Sequence, residues 1–198
     1  SVVGNDNNGK FVKEKILKEG IKDGIVIDYS RPTTLKKRYI VENQKLFRVS
    51  RLEQSEIDKD IEQKIIYELT KSAKEANGIV ISDFVYGVIT KKIIKKIHEL
   101  AIKYKLLLFG DLQCSSQIGS ILKFQNFSLL CPNEREARIA LNEKDLDLES
   151  LSNKIIEKTK SKMLIMKLGP NGFIAYDNNE KEIRTQAFPA LSINPLDV

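Results

Sequence analysis

The apolar positions of this chain follow two spacings that alternate along the sequence. Short runs of consecutive apolar residues, such as Ile79–Ile81 and Leu106–Phe109, predict buried strands. Between such runs, apolar residues recur every three or four positions, as at Ile57, Ile61 and Ile65, and this spacing predicts helices. Alternating helices and continuously apolar strands are typical of a parallel sheet covered by helices on both faces. The sequence therefore predicts a three-layer α/β fold.

The same pattern gives approximate bounds for the elements. The first helix is expected over Lys10 to Lys18, with Phe11, Val12, Ile16 and Leu17 facing inward and Gly20 just past its end. Further helices are expected near residue 58, after Thr90, from Asn133 and over 151–159, and strands at 25–28, 78–84, 106–111, 127–133 and 162–169. A last hairpin is expected from segments 172–177 and 181–188, turned by Asp177-Asn178-Asn179.

One segment breaks this alternation. Runs 36–42 and 46–50 are separated by Asn43-Gln44-Lys45 and predict a β-hairpin. We expect a small lid or separate sheet inserted at about residues 29–50. The chain shows no internal repeat and no linker, so residues 1–198 are expected to form a single domain or most of a larger one.

Composition and charge narrow the class of protein. With 41% hydrophobic and 30% charged residues, the chain has the mix of a soluble globular protein. Its apolar runs are far shorter than the roughly 20 residues of a membrane span, and its first residues resemble no signal peptide. The net charge of +6 reflects either surface lysines or an anionic ligand. Because the lysines are dispersed, a phosphorylated small molecule is favoured over nucleic acid.

Cysteine and histidine usage excludes several chemistries. Cys114 and Cys131 form no CxxC pair, and His98 is the only histidine, which argues against a zinc site of Cys and His and against Ser-His or Cys-His catalysis. Two separate cysteines indicate free thiols in a reducing, cytoplasmic compartment. His98 lies on a predicted helix beside apolar residues and is expected to be structural.

Polar residues follow four of the predicted strands. In sheets of this kind, ligands bind beyond the carboxyl ends of the strands. Some of these residues also have a purely structural explanation: Asn133 and Glu136 match a capping box, and Gly169 and Gly172 match a hairpin turn. Together they favour a metal–phosphate site, because a helix N-terminus attracts anions and a carboxylate holds Mg²⁺ through its waters. The residues are Ser82 with Asp83, Asp111, Asn133 with Glu136, and Gly169 with Gly172.

Several motifs, in order, resemble those of the ribokinase-like (PfkB) sugar kinases. "VVGNDNNG" resembles the family's V-G-x-D-x-x-G, "ISDFVYG" its S-D-Y-x-K-G, "LLCPNEREA" its P-N-x-x-E, and "KLGPNG" its nucleotide-site x-x-G-x-x-G. "PTTLKKRYIVENQKLFRVSRLE" resembles the lid strands of the branch that phosphorylates heptose 7-phosphate in ADP-heptose synthesis. The resemblance extends over nearly the whole chain.

The resemblance implies ATP and Mg²⁺ as cofactors and a role for each matching residue. Asn133 and Glu136 would organise the phosphates and hold Mg²⁺ indirectly, through water. Lys37 and Arg38 on the lid would bind a sugar phosphate, and Asp83 would lie at its phosphate edge. Lid hairpins of this family often pair between subunits, so the resemblance implies a homodimer through the lid strands. The residues implied to border the nucleotide are Lys167, Gly169, Gly172 and Asp197.

The chain also departs from the family pattern. Tyr86 and Gln113 stand where the family's S-D-Y-x-K-G and D-P-K motifs have lysines. The family's G-A-G-D, which carries the catalytic Asp, would follow Val198, so these residues alone are expected not to turn over ATP. Two functions stay open: a carbohydrate kinase acting on heptose 7-phosphate for lipopolysaccharide precursor synthesis, and a catalytically inactive regulatory domain that binds sugar phosphate or nucleotide.

Overall fold

The computed structural model describes residues 1–42, 44–113 and 119–178, except for the side chain of Lys45. Contacts within the chain divide it into two units. The first unit consists of residues 1–74 and 86–97, and the second of residues 75–85 and the chain from residue 98. Whether the chain forms a single domain stays a prediction.

The first unit contains two separate pairs of strands. Strands β1 (Val2–Gly4) and β2 (Val26–Asp28) are parallel and are connected by helix α1 (Asn7–Lys18). Strands β3 (Leu35–Val41) and β4 (Gln44–Arg51) form an antiparallel ribbon, which confirms the predicted hairpin. Of its expected turn residues, Asn43 lies outside the described part of the chain. Helix α2 (Lys59–Ser72) follows the ribbon.

Helix α1 differs from the prediction in its start and in its buried face. It begins at Asn7 because the Asp6 side chain caps it, accepting a hydrogen bond from the Gly9 N–H at 2.9 Å. Phe11 and Leu17 were expected to face inward but are 66% and 55% exposed. At 100° per residue Phe11 points to the side opposite the buried Gly9, and Leu17 lies at the margin of the face that contains Gly9. The inward assignment of both was wrong.

Asp6 also connects α1 to the segment before the ribbon. One of its carboxylate oxygens accepts a hydrogen bond from the Thr33 hydroxyl at 2.7 Å, and the other accepts one from the Thr33 N–H at 3.0 Å. The Thr33 hydroxyl in turn accepts a hydrogen bond from the Gly4 N–H at 2.9 Å. The aspartate of the V-G-x-D-x-x-G motif therefore holds β1, α1 and the lid segment together.

The second unit is built on a five-stranded sheet. Strands β5 (Gly78–Asp83), β6 (Leu107–Leu112), β7 (Leu129–Leu130) and β8 (Met163–Lys167) are parallel neighbours in chain order, and β9 (Phe173–Asp177) joins β8 antiparallel. This arrangement confirms the predicted alternation. β7 is shorter than expected, and the second strand of the predicted C-terminal hairpin lies outside the described residues.

Three helices connect these strands. Helix α3 (Lys91–Tyr104) begins in the first unit and ends in the second, and its first turn is capped by the Thr90 hydroxyl, as predicted. Helices α4 (Glu134–Leu141) and α5 (Leu148–Thr159) lie between β7 and β8. α5 begins three residues earlier than expected because Asp147 caps it by accepting a hydrogen bond from the Ser150 N–H at 2.8 Å.

The two faces of the sheet differ in burial. Side chains of alternate residues, including Leu130, Leu164 and Met166, are completely buried on one face together with Leu151 of α5. Burying one such side chain contributes about 1.5–3 kcal/mol. The opposite face carries apolar side chains that are exposed to solvent, among them Val80, Leu107 and Met163. None of the helices in the described segments is both long and apolar enough to cross a bilayer.

Candidate active site

The carboxyl ends of the four parallel strands bring the predicted polar residues to one edge of the sheet. Asp83 is the last residue of β5, and Asp111 lies one residue before the end of β6. Asn133 follows β7 and forms a bridge with Lys167, the last residue of β8. The sequence predicted this shared edge from the alternation of strands and helices alone.

The residues at this edge divide between the two faces of the sheet. Asp83 is the register partner of Leu112, whereas Asp111 is the partner of Ser82, so the two aspartates point to opposite faces. Asp83 is buried on the face that carries the main core. Asp111 and Lys167 share the other face. The four strand tips are therefore adjacent, but Asp83 does not line the same surface as Asp111.

Asn133 and Glu136 form the capping box that the sequence offered as an alternative. The Asn133 side chain accepts a hydrogen bond from the Glu136 N–H at 2.8 Å, and Glu136 Oε2 accepts one from the Asn133 N–H at 2.9 Å. Glu136 is 3% exposed. The box fixes the start of α4 at the sheet edge, where the N–H groups of the first turn favour an anion.

An ion pair lies beside this helix start. Lys167 Nζ donates a hydrogen bond to Asp111 Oδ1 at 2.6 Å, across the tip of the intervening strand β7. The thiol of Cys131 lies next to the pair: burial and the charge of Asp111 raise the pKa of Cys131, and Lys167 only partly opposes them. The thiol therefore stays protonated at neutral pH. Cys114 lies outside the described residues.

The two glycines form a tight turn at the same edge. Residues Gly169–Asn171 make a 3₁₀ turn, and the Gly172 N–H donates to the Gly169 carbonyl at 3.0 Å. Both glycines have positive φ angles, 58° and 84°, which side-chain-bearing residues rarely adopt. This turn connects β8 to β9, so the hairpin-turn explanation is confirmed. A Cβ on Gly169 would meet no atom within 4 Å, so the turn is open on that side.

In the first unit, Lys37 and Arg38 lie on opposite faces of the lid ribbon, which is the antiparallel pair β3 and β4. Neighbouring residues of a strand point to opposite faces, so these two side chains cannot contact one phosphate together. Arg38 shares its face with Lys36 and with Arg48, its direct partner on β4. Lys36 Nζ lies 5.2 Å from the centre of the Tyr86 ring. The cationic face of the ribbon therefore consists of Lys36, Arg38 and Arg48.

Two basic residues beside these predicted residues were not selected from the sequence. Lys36 shares its ribbon face with Arg38, a placement that the alternation of strand residues indicates. Lys123, which contacts Asp83, had no comparable signal, because the two residues are 40 positions apart. Gln113 remains near the edge, and its N–H donates to the Asp83 carbonyl at 2.8 Å. Asp197 lies outside the described residues.

His98 and the acidic residues show no metal-binding cluster. In residues 1–42, 44–113 and 119–178, no three His, Cys, Asp or Glu side chains gather as ligands for an ion. His98 packs edge-on against the Phe127 ring at 5.7 Å between centres, and burial lowers its pKa. It is therefore neutral at pH 7, in agreement with a structural role.

Known proteins match nearly the whole chain. The family described as pfkB family carbohydrate kinase matches residues 1–195. The bifunctional protein HldE of Helicobacter acinonychis (strain Sheeba) is 32% identical over 184 residues, which cover 90% of this chain and 39% of that protein. The HldE of Geobacter sulfurreducens is 33% identical over 152 residues, which cover 76% of this chain and 30% of that protein.

Solved structures share the fold. Ribokinase from Giardia lamblia superimposes with a TM-score of 0.75 at 18% identity, covering 93% of this chain and 60% of that one. Phosphofructokinase-2 from Escherichia coli in complex with fructose-6-phosphate gives 0.63 at 16% identity, covering 96% and 60%. The chain thus spans 60% of these structures and 39% or less of the curated relatives named above. The fold is ribokinase-like α/β, and the chain belongs to the pfkB family of carbohydrate kinases.

Proposed function

We propose that this chain is part of an ATP-dependent kinase that phosphorylates heptose 7-phosphate in the synthesis of ADP-heptose for lipopolysaccharide. Membership of the pfkB family supports a carbohydrate kinase, and the similarity to HldE proteins supports the heptose substrate. The observation that carries the proposal is the sheet edge where Asp111, Lys167 and the start of α4 meet.

The nucleotide phosphates would lie at this edge. Lys167 is preoriented by Asp111 and offers its remaining N–H donors to a phosphate oxygen. The first turn of α4, fixed by the capping box of Asn133, adds backbone N–H groups. The open turn between Gly169 and Gly172 allows the nucleotide to approach the backbone. Phosphoryl transfer needs mainly such positioning and charge neutralisation.

The acidic residues fit a magnesium ion held largely through water. Mg²⁺ keeps several of its waters and accepts few protein ligands, so it does not need a cluster of three carboxylates. Glu136, with Asn133 beside it, and Asp111 supply carboxylate and amide oxygens near the start of α4. When bound, Mg²⁺ neutralises the phosphate charge. Asn133 and Glu136 would orient its waters.

The sugar phosphate would bind the cationic face of the lid ribbon. Arg38 and Arg48 are direct cross-strand partners, and like charges in such positions repel each other. A phosphate between them replaces this repulsion with charge-assisted hydrogen bonds. Lys36, half-buried over the Tyr86 ring, adds a third positive charge. We therefore assign the acceptor phosphate to Lys36, Arg38 and Arg48 rather than to Lys37.

The other face of the ribbon supports a homodimer. Tyr39 stacks on Phe47 with ring centres 4.5 Å apart, and both side chains are exposed together with Leu35 and Val49. An exposed apolar ribbon gains stability when a second copy covers it. We propose pairing of lid ribbons between two subunits, in a cytoplasmic protein. Sedimentation analysis of Phe47→Lys tests the pairing, with monomers expected.

A second candidate is a regulatory domain that binds the same ligands without turnover. The observation that favours it is the absence of a lysine at Tyr86 and Gln113, where the resembling motifs have one. Lys36 lies over the Tyr86 ring and Lys167 pairs with Asp111, so other strands supply positive charge that either function could use, and turnover alone distinguishes the two.

The test uses the complete protein that the gene encodes and compares two matched variants. Glu136→Gln keeps an oxygen that can accept the Asn133 N–H, so the capping box survives while the negative charge is lost. We expect a large loss of the Mg²⁺-dependent rate with heptose 7-phosphate and little change in melting temperature. Glu134→Gln, on the same helix turn, should keep the rate. A large loss of stability in Glu136→Gln at unchanged rate would contradict the metal role.

A further inference from the structure

The side chain of Lys123 belongs to none of the motifs discussed above, yet its ammonium group lies at the carboxyl tip of β5. We propose that Lys123 is a phosphate-binding residue of this sheet edge, contacting a phosphoryl oxygen of the nucleotide or of the sugar phosphate. The proposal rests on the proposed kinase function and adds a residue to its binding site.

The backbone around Lys123 is held firmly in place. Lys123 ends the short 3₁₀ turn Ile121–Lys123, which the Ser120 hydroxyl caps by accepting a hydrogen bond from the Leu122 N–H. Ile121, the first residue of this turn, and Phe124, which directly follows it, are completely buried. Packing of these neighbours fixes where the lysine stem begins.

Asp83 directs the ammonium group to the sheet edge. Asp83 Oδ2 contacts Lys123 Nζ, while Asp83 Oδ1 accepts a hydrogen bond from the Val85 N–H at 2.8 Å. The exposed fraction of the side chain is 4% for Asp83 and 29% for Lys123. The carboxylate therefore faces the interior, and the ammonium group lies on the solvent side with donors left for a second acceptor.

Two lysines supply positive charge at this edge, where acidic side chains also lie. Asp83, Asp111 and Glu136 provide three carboxylates, against the two ammonium groups of Lys123 and Lys167. A phosphate ester is itself strongly negative, so beside Asp83 it would need the positive charge of Lys123. Lys123 also neutralises the buried carboxylate of Asp83, so removing its charge is expected to cost stability as well as ligand affinity, and both must be measured.

The experiment compares three variants in the complete protein by equilibrium binding and steady-state kinetics. Lys123→Met removes the charge, and Lys123→Arg keeps it. Lys162→Met is the control, because Lys162 is an exposed lysine just before β8, at the opposite end of the sheet. Binding is measured by calorimetry with MgATP and, separately, with heptose 7-phosphate. Thermal melting checks that every variant is folded.

We expect Lys123→Met to weaken binding of one of these ligands about 10- to 100-fold, the loss of one charge-assisted hydrogen bond. Lys123→Arg should stay within about threefold of the parent protein, and Lys162→Met should bind normally. A loss confined to MgATP identifies a nucleotide phosphate, and a loss confined to heptose 7-phosphate identifies the acceptor phosphate. Unchanged affinity for both ligands in folded Lys123→Met would overturn the proposal.

The kinetic measurement separates this inference from the proposed function. If the parent protein turns over substrate and Lys123→Met does so with unchanged KM and kcat, the residue assignment fails while the kinase proposal stands. If the parent protein shows no turnover but loses phosphate-ligand affinity in Lys123→Met, the kinase proposal fails and the phosphate site stands. A parent protein that binds neither ligand would overturn both the kinase proposal and the phosphate site.

Discussion

Lys167 at the end of β8 donates a hydrogen bond at 2.6 Å to Asp111 near the end of β6, passing over the tip of the strand between them. This ion pair links two non-adjacent strands at the edge where parallel sheets bind their ligands. Both side chains are partly exposed, so the pair contributes at most about 1 kcal/mol to the free energy of unfolding. Its main consequence is to hold an ammonium group where phosphates are proposed to bind.

Replacing Lys167 with Met should therefore reduce nucleotide affinity more than stability. We expect the Kd for MgATP to rise about tenfold or more, because a charge-assisted hydrogen bond is lost, while the free energy of unfolding changes by about 1 kcal/mol or less. Calorimetric titration and urea unfolding measure the two quantities. Lys154→Met, which removes a comparable ion pair with Glu143, serves as the control and should leave the Kd unchanged.

The cationic face of the lid ribbon gives a prediction for two adjacent lysines. Lys36→Met should raise the KM for heptose 7-phosphate about tenfold, because one of three proposed phosphate-binding charges is removed. Lys37→Met alters a side chain of the opposite face and should leave this KM within about twofold of the parent value. Equal effects of the two substitutions would show that the ribbon binds no phosphate through a defined face.

We expect Asp6 to make the free energy of unfolding depend on pH. Hydrogen bonds from the Thr33 hydroxyl, and then from the N–H groups of Gly9 and Thr33, lower the pKa of Asp6 from 3.8 to about 2. Because the folded state holds the carboxylate below its unfolded pKa, this stabilisation is fully present above about pH 4 and is lost as pH falls through about 2. Urea midpoints between pH 6 and pH 2 measure the effect.

Asp6→Asn should be less stable at pH 6 and should lose part of this acid dependence, since an amide cannot accept all the hydrogen bonds that the carboxylate accepts. Asp60→Asn, an exposed substitution on α2, is the control and should keep the pH profile of the parent protein. Identical pH profiles for Asp6→Asn and the parent protein would exclude the proposed linkage.

Gly87 should tolerate no side chain. Its φ is +73°, and an added Cβ would lie 1.9 Å from the Ser55 carbonyl oxygen, so Gly87→Ala combines backbone strain with a steric clash. We expect a loss of more than about 3 kcal/mol in the free energy of unfolding. Gly20→Ala is the matched control: its φ is +69° but its surroundings are open, so only the backbone cost of about 1–2 kcal/mol applies. Urea unfolding of both variants measures the difference.

The sequence predicted those structural features that depend on residues close together along the chain. The capping box of Asn133 and Glu136 depends on a three-residue spacing, and the shared sheet edge depends on the alternation of strands and helices, so both were predictable. Successive residues of a strand point to opposite faces, so the sequence also indicated that Lys37 and Arg38 lie on different faces of the ribbon.

The remaining features depend on contacts between distant segments. Nothing near Lys123 in the sequence indicates that it contacts Asp83, because that contact requires the register of β5 and β6 and the packing of Ile121 and Phe124. Likewise, the outward orientation of Phe11 follows from the way α1 packs through Gly9 rather than from its apolar character. Side-chain type alone could not give either result.

The most direct test of the proposed function is ³¹P NMR of the complete protein incubated with ATP, Mg²⁺ and heptose 7-phosphate. The proposal predicts a new phosphate ester signal from the sugar that grows in step with ADP, and no such signal when fructose 6-phosphate replaces the heptose. Binding of both ligands with no new ester signal would contradict a kinase and favour the regulatory domain.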